Sequence, residues 1–127
     1  MADWPTDTID RIAATDDLHI APYRADGKMT GTLTWIWSVT VDGRLFLRAW
    51  NGVNGRWYRA AIAQRAGRIT AAGDEHMVAF AAVHDPELND RIDQAYREKY
   101  AGSAYLPPML AARPKAATVE ITRRDAL

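Results

Sequence analysis

Apolar and polar residues alternate most regularly between Thr34 and Val41, where Trp35, Trp37, Val39 and Val41 interleave with Thr34, Ser38 and Thr40. A period of two marks a strand, and Ile36 is its apolar exception. Asp42-Gly43 follows, a pair that tolerates positive φ at both turn positions, and Arg44 to Trp50 is the return strand of a hairpin. A two-residue turn sets the register. Val41 faces Arg44, Val39 faces Phe46, Trp37 faces Arg48 and Trp35 faces Trp50 on one side; Ser38 faces Leu47 and Ile36 faces Ala49 on the other. Both faces carry apolar groups, so both are expected to be covered, as in a barrel or a sheet backed by helices.

The pattern elsewhere predicts the remaining elements. Trp4 to Ala14 is a short helix, with Pro5 and Thr6 at its start, Asp7 and Asp10 toward its N-terminal end, and Ile9, Ile12 and Ala13 as one stripe. Leu18 to Ala21 is a brief strand stopped by Pro22, and Arg24 to Gly31 is a polar loop. Asn51 to Gly55 is a Gly/Asn loop that opens a helical turn over Arg56 to Ala63. Two strands, Gly67 to Ala72 and His76 to Val83, flank a turn at Gly73-Asp74. Asp85 as N-cap and Pro86 at the first helical position begin a longer helix. Leu88, Ile92, Ala95, Tyr96 and Tyr100 recur on one of its faces, and Gly102 can end it. Asp93 and Arg97 are spaced to pair, and Asp90, Asp93 and Glu98 read as a solvated face. Tyr105 to Arg113 is irregular around Pro107-Pro108, with room for a single turn, and Ala117 to Thr122 is a closing strand. The order is that of an α+β fold with one domain over residues 1–127.

The 127 residues suffice for one core. Sixteen basic and sixteen acidic side chains cancel, which argues against nucleic acid or a membrane surface as main partner. With no cysteine, disulfides, thiolate catalysis and cysteine-ligated metals are excluded. The start lacks a basic-then-apolar leader and no apolar run approaches the ~20 residues of a membrane span, so a cytoplasmic location is expected. Of five tryptophans, Trp35, Trp37, Trp50 and Trp57 crowd one stretch. They suit a Trp-rich core or an aromatic wall for a planar ligand.

Candidate chemistry concentrates between Leu47 and Arg59. A strand ending in a Gly-rich loop that opens a helix exposes backbone N–H groups to anions. Arg48, Arg56 and Arg59 add cations whose fork matches phosphate or carboxylate, and Trp50, Trp57 and Tyr58 add flat surfaces. A phosphorylated, planar ligand would use all three features. The same residues also fit structural roles, with Arg48 stacked on Trp37, a plain turn at Asn51–Gly55, and solvated Arg56 and Arg59. His19, His76 and His84 lack metal-ligand spacing, and no G-x-S-x-G elbow accompanies Ser38 or Ser103. Tyr105, before the Pro-containing segment, is a candidate proton donor at a pocket rim, while Tyr96 and Tyr100 read as core anchors.

The run Lys28-Met29-Thr30-Gly31-Thr32-Leu33-Thr34-Trp35, the hairpin, Asn51-Gly52 and Trp57-Tyr58-Arg59 resemble the deazaflavin-dependent nitroreductases and the wider clan of FMN-binding split barrels. Tyr96-Arg97-Glu98-Lys99-Tyr100, Tyr105 and Thr118-Val119-Glu120-Ile121 resemble more closely a bacterial family of unknown function in that clan, over roughly Ile9 to Ile121. The resemblance implies a split β-barrel of antiparallel strands, with a short N-terminal helix and a longer C-terminal helix before the closing strand. It implies FMN or 8-hydroxy-5-deazaflavin as cofactor, no metal, a homodimer, and hydride transfer to a small organic substrate. Carried over by position, Thr32, Thr34 and Trp35 would lie along the ring, and on the reductase reading Trp37 and Trp50 would wall it beside Trp35. Arg48, Asn51, Arg56, Trp57 and Arg59 would hold the phosphate end, and Tyr105 or Tyr58 would donate a proton. Where the nitroreductases carry an Asn after the Trp-Tyr pair, this chain has Ala60 and Ala61. A cofactor-free small-molecule-binding or structural dimer on the same fold is the alternative.

Overall fold

The computed structural model describes residues 4–124. The chain runs α1 (Thr6–Ala13), β1 (His19–Pro22), β2 (Thr34–Trp35), β3 (Ser38–Val41), β4 (Arg44–Arg48), a 3₁₀ turn (Gly52–Asn54), α2 (Arg56–Gln64), β5 (Ala66–Ala71), β6 (Asp74–Ala82), α3 (Pro86–Lys99), α4 (Leu106–Met109), α5 (Ala112–Ala116) and β7 (Thr118–Arg123). The strands form one antiparallel sheet of seven in the order β2-β1-β5-β6-β7-β4-β3.

That order shows why the sheet must curl. Its two outermost strands, β2 and β3, are consecutive in sequence and separated by Ile36 and Trp37 alone. Three Cα steps span at most about 11 Å, so opposite edges of a seven-stranded sheet are drawn together into a half-barrel with a seam between β2 and β3. The single long strand expected over Thr34–Val41 is therefore two. Trp35 pairs with His19, and Ile36 N–H donates to Leu18 O at 3.0 Å, on one side of the seam; Ser38 pairs with Leu47 on the other. Beyond Ser38 the hairpin register is as the Asp42-Gly43 turn dictates, with Val39 opposite Phe46 and Val41 opposite Arg44; Trp35 does not face Trp50.

The seam is closed by side chains in place of a ladder. Ser38 N–H donates to the Tyr100 hydroxyl at 3.1 Å, Lys99 Nζ donates to Ser38 O at 2.8 Å, and the Tyr100 hydroxyl donates to Asp16 Oδ1 at 2.7 Å. The Trp37 ring stacks on Tyr100 at 3.9 Å. Edge backbone groups that would otherwise template another strand are thereby satisfied from α3. Burial, then the Asp16 hydrogen bond, pushes the Tyr100 hydroxyl pKa up, so it serves here as a neutral donor. Burial pulls that of Lys99 down.

Two apolar clusters cover the two faces, as the hairpin pattern requires. Leu45 and Leu47 share one with Ile20, Ile69, Val119 and Ile121 from the sheet, Ile9 and Ile12 from α1, and Tyr58 and Ala61 from α2. Val39, Val41 and Phe46 share the other with Ile92 and Tyr96 of α3 and with Tyr100, its C-cap. Each fully buried Leu or Ile contributes about 1.5–3 kcal/mol. Where β1 crosses β5, a Cβ on Gly67 would stand 2.6 Å from Ala21 O and from Pro22 Cα, so only glycine lets the backbones approach.

Three local expectations are corrected. The β5–β6 turn is Ala72-Gly73, with Ala72 at φ 52°; its N–H donates to Asp17 Oδ1 at 2.9 Å, a partner 55 residues away. Asp93 is buried rather than solvated, and pairs with Arg48 and Lys115 instead of Arg97. The segment after Tyr105 holds two short helices, α4 and α5. The Asp85 cap is as expected, accepting from Leu88 N–H at 2.9 Å.

Candidate functional site

A cavity of about 1200 Å³ opens beside the seam. β2 and the link to β3 supply Thr34, Trp35, Ile36 and Trp37; the end of β4 and the following turn supply Ala49, Trp50 and Asn51; α2 supplies Gly55 as its cap, Arg56, Trp57 and Ala60. Tyr23 and Arg24 after β1, with Gly31 and Thr32, form one end, and Ser103, Tyr105 and Met109 another part of the wall. The four clustered tryptophans thus all reach one space. The wall carries two cations, Arg24 and Arg56, and no carboxylate among the described residues.

The loop before α2 is built for close approach. Gly52 has φ 75°, and a Cβ there would lie 2.6 Å from Arg113 Cγ. Gly52 N–H donates to Ala49 O at 2.9 Å, and Gly55 N–H to Gly52 O at 3.1 Å. Gly55 caps α2 without a side-chain acceptor, so the first N–H groups of this nine-residue helix have no side-chain partner, at a positive dipole end whose Gly55, Arg56 and Trp57 line the cavity.

The packing around α2 sorts its residues. Arg56, Trp57 and Ala60 line the cavity. Tyr58 and Ala61 point into the core, and Arg59 is exposed to solvent away from the lining. Tyr58 and Arg59 are thus removed from the candidate set. Burial raises the Tyr58 hydroxyl pKa, as expected for a core phenol.

Arg48 is the larger correction. It shares its face of β4 with Phe46, toward α3, and is 0 % exposed. Its guanidinium donates to Thr118 Oγ1 (2.9 Å), Asp93 Oδ1 (2.5 Å), Asn89 Oδ1 (3.0 Å) and Asn89 O (3.2 Å), and lies 5.3 Å from the Tyr96 ring centroid. Lys115 Nζ holds the other Asp93 oxygen at 2.7 Å. A strand with period two cannot send both Arg48 and Ala49 into one cavity, and Ala49 lines it. Arg48 fastens α3 and α5 to the sheet, behind the site. Its aromatic neighbour is Tyr96, while Trp37 stacks on Tyr100.

The remaining expected residues converge. Thr32, Thr34, Trp35, Trp37, Trp50, Asn51, Arg56, Trp57 and Tyr105 all line the cavity. Trp35 is half exposed and its Nε1 donates to Asp16 O at 2.8 Å, which fixes its ring. Tyr105 is 65 % exposed and stands edge-on to Trp50 at 6.0 Å. Tyr23, Arg24 and Met109 are lining residues that the sequence pattern did not single out, and Ser103, considered there only as a nucleophile, also lines the cavity. Arg24 sat in a stretch read as loop. Tyr23 in fact bridges to Thr30, Arg24 N–H donates to Met29 O at 2.7 Å, and Asp26 Oδ1 accepts from Lys28 and Met29 N–H. Those amide bonds also hold the exposed Asp26 pKa below its usual value. Asp26-Gly27 within the run was the one available signal for this ordered turn.

Among the described residues no group of His, Cys, Asp and Glu is arranged to hold a metal, and no helix is long and apolar enough to cross a membrane. A seven-stranded half-barrel with its cavity at the seam defines a split β-barrel. The chain belongs to the bacterial family described as "uncharacterized protein conserved in bacteria" (DUF2255), whose pattern matches residues 8–121. The crystal structure of the conserved hypothetical protein Rv2991 of Mycobacterium tuberculosis superposes with TM-score 0.69 at 18% identity, over 99% of this chain and 82% of that one. A Listeria innocua protein, provisionally named a pyridoxamine 5'-phosphate oxidase, superposes with TM-score 0.63 at 8% identity, over 93% of this chain and 90% of that one. At these identities the likeness is one of fold. No curated protein sequence matches the chain.

Proposed function

We propose that the protein binds a phosphorylated flavin or deazaflavin, FMN or an 8-hydroxy-5-deazaflavin, in the seam cavity and acts as a cytoplasmic homodimeric reductase on a small organic substrate. The observation that carries this is the wall itself: Tyr23, Trp35, Trp37, Trp50, Trp57 and Tyr105 around a space with Arg56 at an uncapped helix start and no carboxylate among the described residues. A planar anion fits that chemistry; a cation does not. The oxidase-like description of the Listeria protein on the same fold supports the reading.

Such a cofactor supplies hydride chemistry when bound. The chain's part is binding and orientation. Trp35 and Trp50 offer flat walls, Asn51 and the Gly52–Gly55 turn let backbone approach closely, and Arg56 with the α2 N–H groups neutralises the phosphate. Tyr105, on the rim, is placed to give a proton to a reduced product. Exposed aromatic surface at Trp35, Trp50 and Tyr105 supports a second subunit over the mouth.

Titration of purified apo-protein with FMN and, separately, with the phosphorylated deazaflavin tests the reading through tryptophan fluorescence. Saturable micromolar quenching by one of them is expected, weakened more than tenfold in Arg56→Ala. Wild-type affinity in Arg56→Ala would misplace the clamp. Silence from both cofactors would favour the cofactor-free binder, for which the exposed Trp35 and Trp50 already provide an apolar face.

A further inference from the structure

The two arginines of the cavity stand at opposite ends of one helix. Arg56 is the first residue of α2. Arg24 belongs to the turn at the other end: Tyr23 N–H donates to Ala66 O at 3.0 Å, two residues past the last residue of α2. Gly27, whose N–H donates to Arg24 O at 2.8 Å, lies against Gln64, that last residue, with Oε1 3.7 Å from a Cβ placed there. Nine helical residues extend about 13 Å. The cavity therefore has a cation at each end and an aromatic wall between them. Its volume of about 1200 Å³ also exceeds the roughly 300–1,000 Å³ usual for a single small-ligand site.

We infer that the Arg24 end is a second subsite, which takes the carboxylate of a small planar co-ligand while the Arg56 end holds the cofactor phosphate. This rests on the cofactor reading for its second half only. The backbone positions of Arg24 and Arg56 lie near opposite ends of α2, so a phosphate held at the α2 start leaves Arg24 available to a second anion, and the aromatic lining between them selects for a flat body. A guanidinium presents a fork that a carboxylate meets in a bidentate way. Among the described residues the hydrogen bonds of Arg24 are those of its backbone, and its side chain is exposed at the cavity edge. The neighbouring Asp26 carboxylate feels the Arg24 charge, but its hydrogen bonds come from two backbone N–H groups at 2.9 and 3.0 Å and not from the guanidinium. The substrate class assigned is thus a small aromatic or conjugated carboxylic acid.

Benzoate is a suitable probe and benzamide its uncharged counterpart. Each is titrated into protein preloaded with FMN, in wild type, Arg24→Gln and Arg56→Gln, following the flavin absorbance band and, with apo-protein, tryptophan fluorescence. Benzoate is expected to bind the loaded wild type saturably, at least tenfold tighter than benzamide. Arg24→Gln should lose that preference while keeping its FMN affinity within twofold, and Arg56→Gln should show the reverse. If Arg24→Gln weakens FMN as much as Arg56→Gln does, or if benzoate and benzamide bind alike, the second subsite is wrong while the cofactor site stands. If FMN fails on wild type but apo-protein binds benzoate in an Arg24-dependent way, the carboxylate subsite stands and the cofactor reading falls. Failure of both ligands overturns both.

Discussion

Replacing Asp93 by alanine isolates the energetic role of the buried ion network. Asp93 is 5 % exposed and receives Arg48 at 2.5 Å and Lys115 at 2.7 Å. In the variant Lys115, which is partly exposed, regains water, whereas Arg48 is 0 % exposed and cannot. Its remaining partners, Thr118 and Asn89, are neutral. Stranding one charge of a buried pair costs about 3–5 kcal/mol. Unfolding entropy near 2.1 cal/mol/K per residue makes that a fall in Tm of roughly 11–19 °C for a chain of this length. Thermal melts by circular dichroism measure it, and urea titration should give a lower midpoint at unchanged slope. The double variant Arg48→Met with Asp93→Leu should recover most of the loss, because apolar replacement of a whole buried pair is often neutral or stabilising. It should also bind FMN like wild type, since Arg48 faces away from the cavity. A melting point for Asp93→Ala within about 2 °C of wild type would refute the argument. It would mean that Arg48 reaches solvent, and would return it to the list of phosphate ligands.

Tyr100→Phe keeps the stacking on Trp37 but leaves Ser38 N–H at the seam without its acceptor; a loss of about 1–3 kcal/mol in denaturant midpoint is expected, and a neutral result would show that the seam is held by packing alone. Gly67→Ala places a methyl group 2.6 Å from the β1 backbone and should cost about 1–3 kcal/mol by overpacking, read by the same titration. His76 packs edge-on to Trp4 at 5.2 Å with its Nε2 buried and unpartnered. Desolvation lowers its pKa in the fold, with Arg11 and Arg123 acting the same way and Asp74 opposing. The unfolded chain therefore binds the proton more readily, so stability present above about pH 6.5 is lost as pH falls through the folded value. Melts of wild type at pH 7.5 and 5.5 should differ by more than those of His76→Phe, and equal slopes would show that other groups set the acid limb.

Local chemistry made much of the molecule legible from its residues. Asp42-Gly43 tolerates positive φ at both positions, so the β3–β4 turn and its register follow from two residues. Asp85-Pro86 starts α3, and Ile92, Tyr96 and Tyr100 on one stripe are its buried face. The Gly-rich turn before α2 announces the helix start that the structure shows, and the four crowded tryptophans all line one cavity.

What the local pattern could not carry are choices made by distant partners. Alternation runs through Thr34–Val41 with Ile36 as its apolar exception, and it still reads as one strand; the chain divides at Ile36–Trp37 because β1 competes for one half and β4 for the other. Ala72 adopts a left-handed turn that its own side chain disfavours, stabilised by a carboxylate 55 residues away. Asp93 has the spacing of a surface charge, and becomes a buried counter-ion only because Arg48 arrives from β4 and Lys115 from α5. Arg24 enters the cavity because β1 pairs with β5 beside the end of α2. Periods, turns, caps and the α+β class are written in the chain, because each depends on neighbours a few residues apart. Which cations face the cavity and which lie behind it was decided by tertiary structure alone, since desolvation and ion pairing depend on groups that only the closed sheet brings together.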